Sequence, residues 1–314
     1  MHAPTDAVPE PSLPSAQTAL RAVHCLAHAL SRPRRQAMLP QVFRMEQLGL
    51  QPGFLDGVAA QAEHLPWDRY DVARRRRQVL QRHASILAPA QRALLDADDA
   101  DPDALWNAVQ ATLPSVLRAA LQRVQPHRRR AMRKYAARRV SAGCWQLQPL
   151  DDACFAQPGD LARAPRRVFA PIALALTYHP DMLRLVAGIA ETVHQRCAAT
   201  RLQLVVHLMM TVARGPAAAE PAPEGLHQDG ADYILSALVI RRRGVRGGTS
   251  RVRRGVAGPL LLEQTLGEGD GVFQPDAGSP LWHEVSALHA TDPAQAGYRM
   301  ILGIDAHVVP EQPA

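Results

Sequence analysis

Apolar positions in the first third of the chain recur at helical spacing. Beyond Ser15, a residue suited to an N-cap, Leu20, Val23, Leu26, Ala27 and Leu30 share one stripe until Pro33 ends the run, which predicts an amphipathic helix. A second helix is predicted from Asp101 and Pro102, an N-cap followed by proline at the first helical position. It carries Leu105, Val109, Leu113, Val116, Leu117, Leu121 and Val124 up to Pro126, with a kink expected at Pro114. Residues 69–96 also read as helical. Beyond about residue 130 the pattern changes. One more helix is expected from Pro180 to about Ala198, with Leu183, Val186, Ile189 and Val193 on its inner face. Short apolar runs then follow between Gly, Pro and Asp clusters, at Leu202–Ala213, Tyr233–Ile240, Thr249–Arg254, Pro259–Leu266, Leu281–Leu288 and Tyr298–Val308. Strands at this spacing suggest a sandwich or jelly roll. The expectation is therefore an α+β chain: a disordered tail over 1–14, an all-helical region over 15–126, and a β-rich domain over 130–308.

Composition alters this picture little. The chain has 314 residues, of which 47% are hydrophobic, and a formal charge of +7; its mean hydropathy is −0.17. These are values of an ordinary globular protein. The positive charge is almost all arginine, with Lys134 the single lysine. The runs Arg74–Arg77, Arg128–Arg130 and Arg241–Arg243 could touch phosphate, but the expected reading is ion-paired or solvated surface, so nucleic acid is not the expected partner. Cys25, Cys144, Cys154 and Cys197 lie far apart without a CxxC pair, so reduced thiols and no structural zinc are expected. With no basic start leading into an apolar run and no stretch of about 18 apolar residues, the expected location is cytoplasmic, without a membrane.

Candidate chemistry is concentrated late in the chain. In Gly225-Leu226-His227-Gln228-Asp229-Gly230, a histidine and an aspartate stand two positions apart, and positions i and i+2 of an extended segment face the same side. His283, on a later apolar strand, can supply a third ligand. Two imidazoles and a carboxylate make a facial triad that leaves coordination positions open for a bidentate oxo-acid and for dioxygen. Alone, the HxD pair could equally be a surface loop in which Asp229 caps a turn. What favours the metal is the ordered set of HxD, an apolar strand, the Gly247-Gly248 turn, the strand holding His283, and a strand opening on Tyr298-Arg299. A guanidinium at Arg299, ahead of the apolar run Met300-Ile301-Leu302-Gly303-Ile304, needs a carboxylate partner. The distal carboxylate of 2-oxoglutarate fits; a protein acid such as Asp305 or Asp292 is the alternative. His289 is the rival to His283. His207 could touch substrate or be a hydrogen-bonded core residue, and Asp232 and Tyr233 could orient a substrate or simply start a strand.

These residues resemble the bacterial 2OG-Fe dioxygenases that include isoleucine 4-hydroxylase and related free amino-acid hydroxylases. The similarity spans roughly residues 130–308. It rests on Arg138-Arg139, on Cys154-Phe155-Ala156-Gln157-Pro158, on Arg167 to Pro171, on the strand around His207, and on HQDGADY followed by Gly247-Gly248-Thr249-Ser250. The chain departs from the family in two ways. Asp276 lies further before the distal histidine than is usual there, and the His207 strand is more apolar. The resemblance implies a double-stranded β-helix of the cupin type, with Fe(II), 2-oxoglutarate and O2 as requirements and ascorbate as a reductant in vitro. It also implies hydroxylation of the side chain of a free L-amino acid or cyclic imino acid, in specialised peptide natural-product metabolism. Two other readings stand beside it: the same chemistry on a peptide- or carrier-tethered residue, and a non-catalytic basic binding module.

Overall fold

A two-residue period organises the β-rich half of the chain. Along Gly297–Val308, Met300, Leu302, Ile304 and Ala306 are buried in one apolar core, while Arg299, Ile301, Gly303 and Asp305 line a pocket on the other face. Successive side chains of a strand point to opposite sides, so one strand serves both.

The computed structural model describes residues 23–24, 28–30, 38–96, 103–152, 154–155 and 167–310. Its first elements are β1 (Val23–His24), β2 (Gln41–Arg44), α1 (Pro52–Ala59), α2 (Arg69–Arg82), α3 (Pro89–Asp96), α4 (Ala104–Val109) and α5 (Ser115–Gln122). Then come β3 (Arg128–Ser141), β4 (Cys144–Leu150), β5 (Cys154–Phe155), β6 (Arg167–Val168), β7 (Ala170–Pro171), α6 (Leu174–Thr177), α7 (Pro180–Cys197) and β8 (Arg201–Ala213). The last are β9 (Tyr233–Arg243), β10 (Val245–Gly247), β11 (Thr249–Arg254), β12 (Leu260–Thr265), β13 (Asp270–Pro275), β14 (Leu281–Val285), β15 (Leu288–Ala290) and β16 (Gly297–Val308).

A nine-stranded sheet runs in the order β1-β4-β3-β8-β16-β9-β13-β2, with β7 alongside β3. Its neighbours pair antiparallel except β3 with β7. α7 covers one face. Pro180 in its first turn and His179, whose Nδ1 accepts from the Asp181 N–H at 3.2 Å, start that helix. Its Met182, Leu185, Val186, Ile189, Ala190 and Val193 are buried with the even-numbered side chains of β8 and β16; each large aliphatic so buried contributes about 1.5–3 kcal/mol. Across the opposite face lies a three-stranded sheet, β12-β11-β14, with Leu262 and Leu266 against Ala237, Val239, Val272 and Ile301 of the large one. The molecule is thus a mixed α/β fold built on a large antiparallel sheet, with the pocket between its two sheet layers. Among the described residues no helix is long and apolar enough to cross a membrane.

The first third differs from the expected all-helical region. β2 pairs with β13 and β1 with β4, so both edges of the large sheet come from residues read as helical or left unassigned. Edge strands this short satisfy their backbone groups against a neighbour that the local pattern does not reveal. The predicted helix after Ser15 and the tail over 1–14 lie mostly outside the described residues, as do Asp101, Pro102 and Ala156 to Pro158; at Val23–His24 the chain is a strand. Pro114 breaks its helix rather than kinking it, leaving α4 and α5 as separate pieces with Pro114 extended (φ −50°, ψ 141°) as the N-cap of α5. The four helices α2 to α5 keep a small core of their own, from Leu80, Leu87 and Leu95 to Leu117 and Leu121. Cys144, expected as a free thiol, is disulfide-bonded, whereas Cys154 and Cys197 are free.

The arginine runs are drawn into the fold. Arg74 pairs with Asp71 and Glu220, Arg76 and Arg77 donate to the Leu121 and Leu95 carbonyls, and Arg129 donates to the Glu63 carbonyl while stacking 4.2 Å from the Trp67 ring. Asp71 joins the helical unit to the sheet. Its Oδ2 accepts from the backbone N–H groups of His127 (2.7 Å) and Arg128 (3.2 Å), and its Oδ1 faces Arg74. Burial would raise this carboxyl, but the Arg128 charge and the two N–H donors prevail and lower it. A lowered folded value means that the stabilisation is present above the ordinary 3.8 and is lost as the pH falls through the depressed value. Asp71→Ala should therefore cost about 3 kcal/mol or more in urea unfolding, by stranding buried cations and two N–H groups. A loss below about 0.5 kcal/mol would show that the junction does not depend on this carboxylate.

Candidate active site

The HxD segment and the strand of the distal histidine are held together by backbone. His227 N donates to His283 O at 2.9 Å and His283 N donates to His227 O at 3.0 Å, an isolated antiparallel bridge outside the regular strands. Directly bridged residues project side by side, and the two rings lie 4.3 Å apart between centroids. Gln228, pointing the other way, brings its amide nitrogen within hydrogen-bond distance of the carbonyls of Asp276 (2.9 Å), Ser279 (3.1 Å) and Leu281 (2.7 Å). That side chain latches the turn before β14 onto the HxD segment.

Asp229 then returns to the side of His227. Its Oδ1 is 3.4 Å from His227 Nε2 and its Oδ2 is 3.3 Å from His283 Nε2. One atom from each of the three residues lies within 4.8 Å of the others, a set that can hold a metal ion. The His227 Nδ1 sits 2.7 Å from the Gly225 carbonyl, which suits an N–H at Nδ1 and leaves Nε2 for a metal. Burial would raise the Asp229 carboxyl, yet the two imidazoles hold it well below the usual carboxylate range. For His227, burial works downward, but the hydrogen bond and charge of Asp229 prevail and raise it to about 9.

Asp276 completes the surroundings. Fully buried, it accepts from the Gly230 and Ala231 N–H groups at 2.7 and 3.2 Å through Oδ2, while Oδ1 lies 3.8 Å from His283 Nδ1. Burial and the charge of Asp229 push it up to about 6. Its distance from His283 in sequence is absorbed by the Gly278 turn, so it reaches the distal histidine all the same.

The pocket opens from these side chains toward the large sheet. Arg299 is 4% exposed, and its Nε and Nη2 are buried without a hydrogen-bond partner among the described residues. The protein acids that could have paired with it are engaged elsewhere: Asp305 Oδ2 lies 3.0 Å from His207 Nε2, and Asp292 accepts from the Ala294 N–H. Burial, then the charge of Arg242, push the Arg299 guanidinium down to about 10. His207 lines the pocket and is also tied on both sides, to Asp305 and through Nδ1 to Arg130 Nη2 at 3.0 Å. Burial and the Arg130 charge lower its pKa despite Asp305. Arg130, stacked 4.2 Å from the Phe169 ring, and Arg167 also line the pocket; neither was among the residues expected there from sequence.

Two candidate substrate residues and the rival histidine fall outside. Asp232 accepts from the Val308 N–H at 2.7 Å, and Tyr233 stacks on Phe273 at 5.9 Å against the helix-covered core; neither lines the pocket. Tyr233 pairs with Ala306, whose side chain faces α7, so strand parity turns it away from a substrate. His289 is on β15, opposite Arg246, and is not part of the ligand cluster.

Comparison with known proteins identifies the family. A family model described as 2OG-Fe dioxygenase matches residues 119–305. Among solved structures, a bsmA homolog from Methylobium petroleophilum PM1 is similar with a TM-score of 0.61 at 18% identity, over 91% of this chain and 99% of that one. IDO from Bacillus thuringiensis is similar with a TM-score of 0.57 at 12% identity, over 88% of this chain and 96% of that one. At these identities the likeness is one of fold. No curated protein matches. The family match covers more than half of the chain and sets aside the non-catalytic reading. The chain belongs to the 2OG-Fe dioxygenase family, and it is a non-haem iron dioxygenase that uses Fe(II), 2-oxoglutarate and O2.

Proposed function

We propose that the protein hydroxylates the side chain of a free L-amino acid or cyclic imino acid on a double-stranded β-helix core. In this reading His227, Asp229 and His283 hold Fe(II), and Arg299 receives the distal carboxylate of 2-oxoglutarate. The observation that carries it is the meeting, in one pocket, of two imidazoles and a carboxylate with a buried guanidinium whose Nε and Nη2 have no partner among the described residues.

Together the iron, 2-oxoglutarate and O2 supply the oxidising power to place one oxygen atom in a C–H bond, with succinate and CO2 as the co-products. The chain's own residues bind and orient. Asp229 brings the negative charge that favours a divalent ion, and the Gly225 carbonyl holds the His227 ring in the tautomer that presents Nε2. Arg299 offers a planar fork matched to a carboxylate. Met209, Leu235, Val252, Val285 and Ile301 form apolar wall, which excludes water and strengthens charge contacts. Arg128, Arg130 and Arg167 stand in the same lining as Glu224, Glu284 and Asp305, so both signs of charge are present for a zwitterion. Such a mixture suits a small amino acid held at both ends with its side chain toward the ligand cluster.

The test is succinate release with Fe(II), ascorbate and 2-oxoglutarate across free amino and imino acids, read with product mass. A gain of one oxygen dependent on iron and 2-oxoglutarate is expected for at least one panel member. Uptake of the oxo-acid without turnover on any of them would shift the substrate to a tethered residue. His227→Ala and Asp229→Ala should each abolish substrate-stimulated succinate, and full succinate formation by either variant would remove that residue from the ligand set.

Metal affinity should depend on pH in a defined window. His227, raised from 6.5 to about 9 in the metal-free protein, contributes pairing stability that is complete below 6.5 and lost as the pH rises through about 9. A metal needs the neutral ring, so Mn(II) affinity should rise by about tenfold per pH unit from 7 toward 9 while one proton is displaced. An affinity flat across that range would mean that His227 is not protonated before the metal binds.

A further inference from the structure

Arg299 has a companion. In the antiparallel pairing of β9 and β16, Arg242 stands directly opposite Arg299. Directly opposed residues project from the same face of a sheet, so Arg242 shares the pocket face. A bulge decides this. Val239 pairs with Ile301 and Arg241 with Met300, so Ile240 is an extra residue on β9. Arg241 consequently falls opposite Met300 on the helix-covered face, where it pairs with Asp56 and Glu268.

The Arg242 side chain is held at one end only. Its Nη2 donates to the Gly247 carbonyl at 2.7 Å, its backbone N–H donates to Glu268 Oε1 at 2.8 Å, and its buried Nη1 has no partner among the described residues. Beside it lie the partnerless Nε and Nη2 of Arg299. The two side chains converge on Gly248. A Cβ there would stand 3.1 Å from Arg299 Cδ, 3.2 Å from Arg242 Nη1 and 2.8 Å from Leu288 Cδ2, and the residue's φ of +69° also favours glycine. Arg299 is buried and Arg242 half-buried with its Nη1 out of solvent, so two like charges stand near each other with part of their hydration lost, an arrangement that calls for an anion.

We propose that Arg242 and Arg299 form a paired cradle for the distal carboxylate of 2-oxoglutarate, with Arg242 Nη1 as the added donor that makes the site prefer a dicarboxylic over a monocarboxylic 2-oxo acid. The inference rests on the assignment of Arg299 to the cosubstrate made above. It deepens that assignment by naming a second positioning residue and the property it controls.

The experiment uses the full chain loaded with Mn(II), which prevents turnover, and measures calorimetric binding of 2-oxoglutarate and of 2-oxovalerate, the five-carbon 2-oxo acid that lacks the distal carboxylate. Arg242→Gln should weaken 2-oxoglutarate by roughly tenfold, the loss of one charge-assisted contact, and leave 2-oxovalerate within about twofold. Unchanged 2-oxoglutarate affinity overturns the proposal. So does an equal loss for both acids, which is the mark of a merely structural role through Gly247. If Arg242→Gln does not accumulate as folded protein, the same preference is read on Arg242→Lys, where a wild-type ratio overturns the proposal and a reduced one supports it. Arg299→Gln separates the two levels of argument. If it loses the preference while Arg242→Gln keeps it, only the paired cradle falls; if neither variant loses it, the cosubstrate assignment of Arg299 falls as well.

Discussion

The pleat of the large sheet is the constraint on which the site depends. β8 and β16 alternate between a helix-covered core and a pocket, so His207 and Met209 on one strand and Arg299, Ile301, Gly303 and Asp305 on the other are delivered to one side by geometry alone. The apolar burial that fixes the alternation lies on the far face, under α7. Register is strongly specified where one face is buried, because a slip of one residue would bring the whole apolar set out of its core. The pocket therefore inherits its order from packing in which it takes no part.

The placement of the two histidines is a second, local layer of the same logic. His227 and His283 come from separate segments, and a pair of reciprocal backbone bonds sets them side by side. Gln228 faces away from them and ties down the turn that carries Asp276 toward His283. Alternate residues of the HxD segment thus divide the work: His227 and Asp229 face the ligand cluster, and the residue between them anchors the scaffold. Charge is arranged in the same spirit. Negative groups gather at the ligand end, while Arg299 stands in the wall with donors to spare.

Much of this could be read from the chain. Five of the six apolar runs after residue 200 are single strands close to their expected limits, because half-buried strands alternate visibly; the run Leu281–Leu288 is split between β14 and β15. The clustering of His227 and Asp229 was legible because i and i+2 are a strand's natural pair, and the buried place of Arg299 because a charge heading an apolar run is conspicuous. Less legible was β3, whose sequence RRRAMRKYAARRVS looks like solvated loop. Its cations find partners only in the folded state, such as Lys134 with Asp152, Arg133 with Asp151 and Arg139 with Glu191. The place of Arg130 in the pocket was missed for that reason, and that of Arg167 because the two-residue β6 carries almost no periodic signal. Asp232 and Tyr233 were misplaced because nearness in sequence to Asp229 says nothing of strand parity, and β1 and β2 because two- and four-residue edges carry almost no periodic signal.

The bulge at Ile240 has an evolutionary consequence that concerns length rather than chemistry. Were β9 to lose the bulge yet keep every residue, Arg241 would take the place opposite Arg299 and Arg242 would turn toward the helices. Because positions 241, 242 and 243 are all arginine, the pocket would still receive a guanidinium. At the position opposite Arg299, then, a one-residue shift in register exchanges one arginine for another, whereas opposite Met300 it would exchange Arg241 for Ile240 and give up the pairing with Asp56 and Glu268.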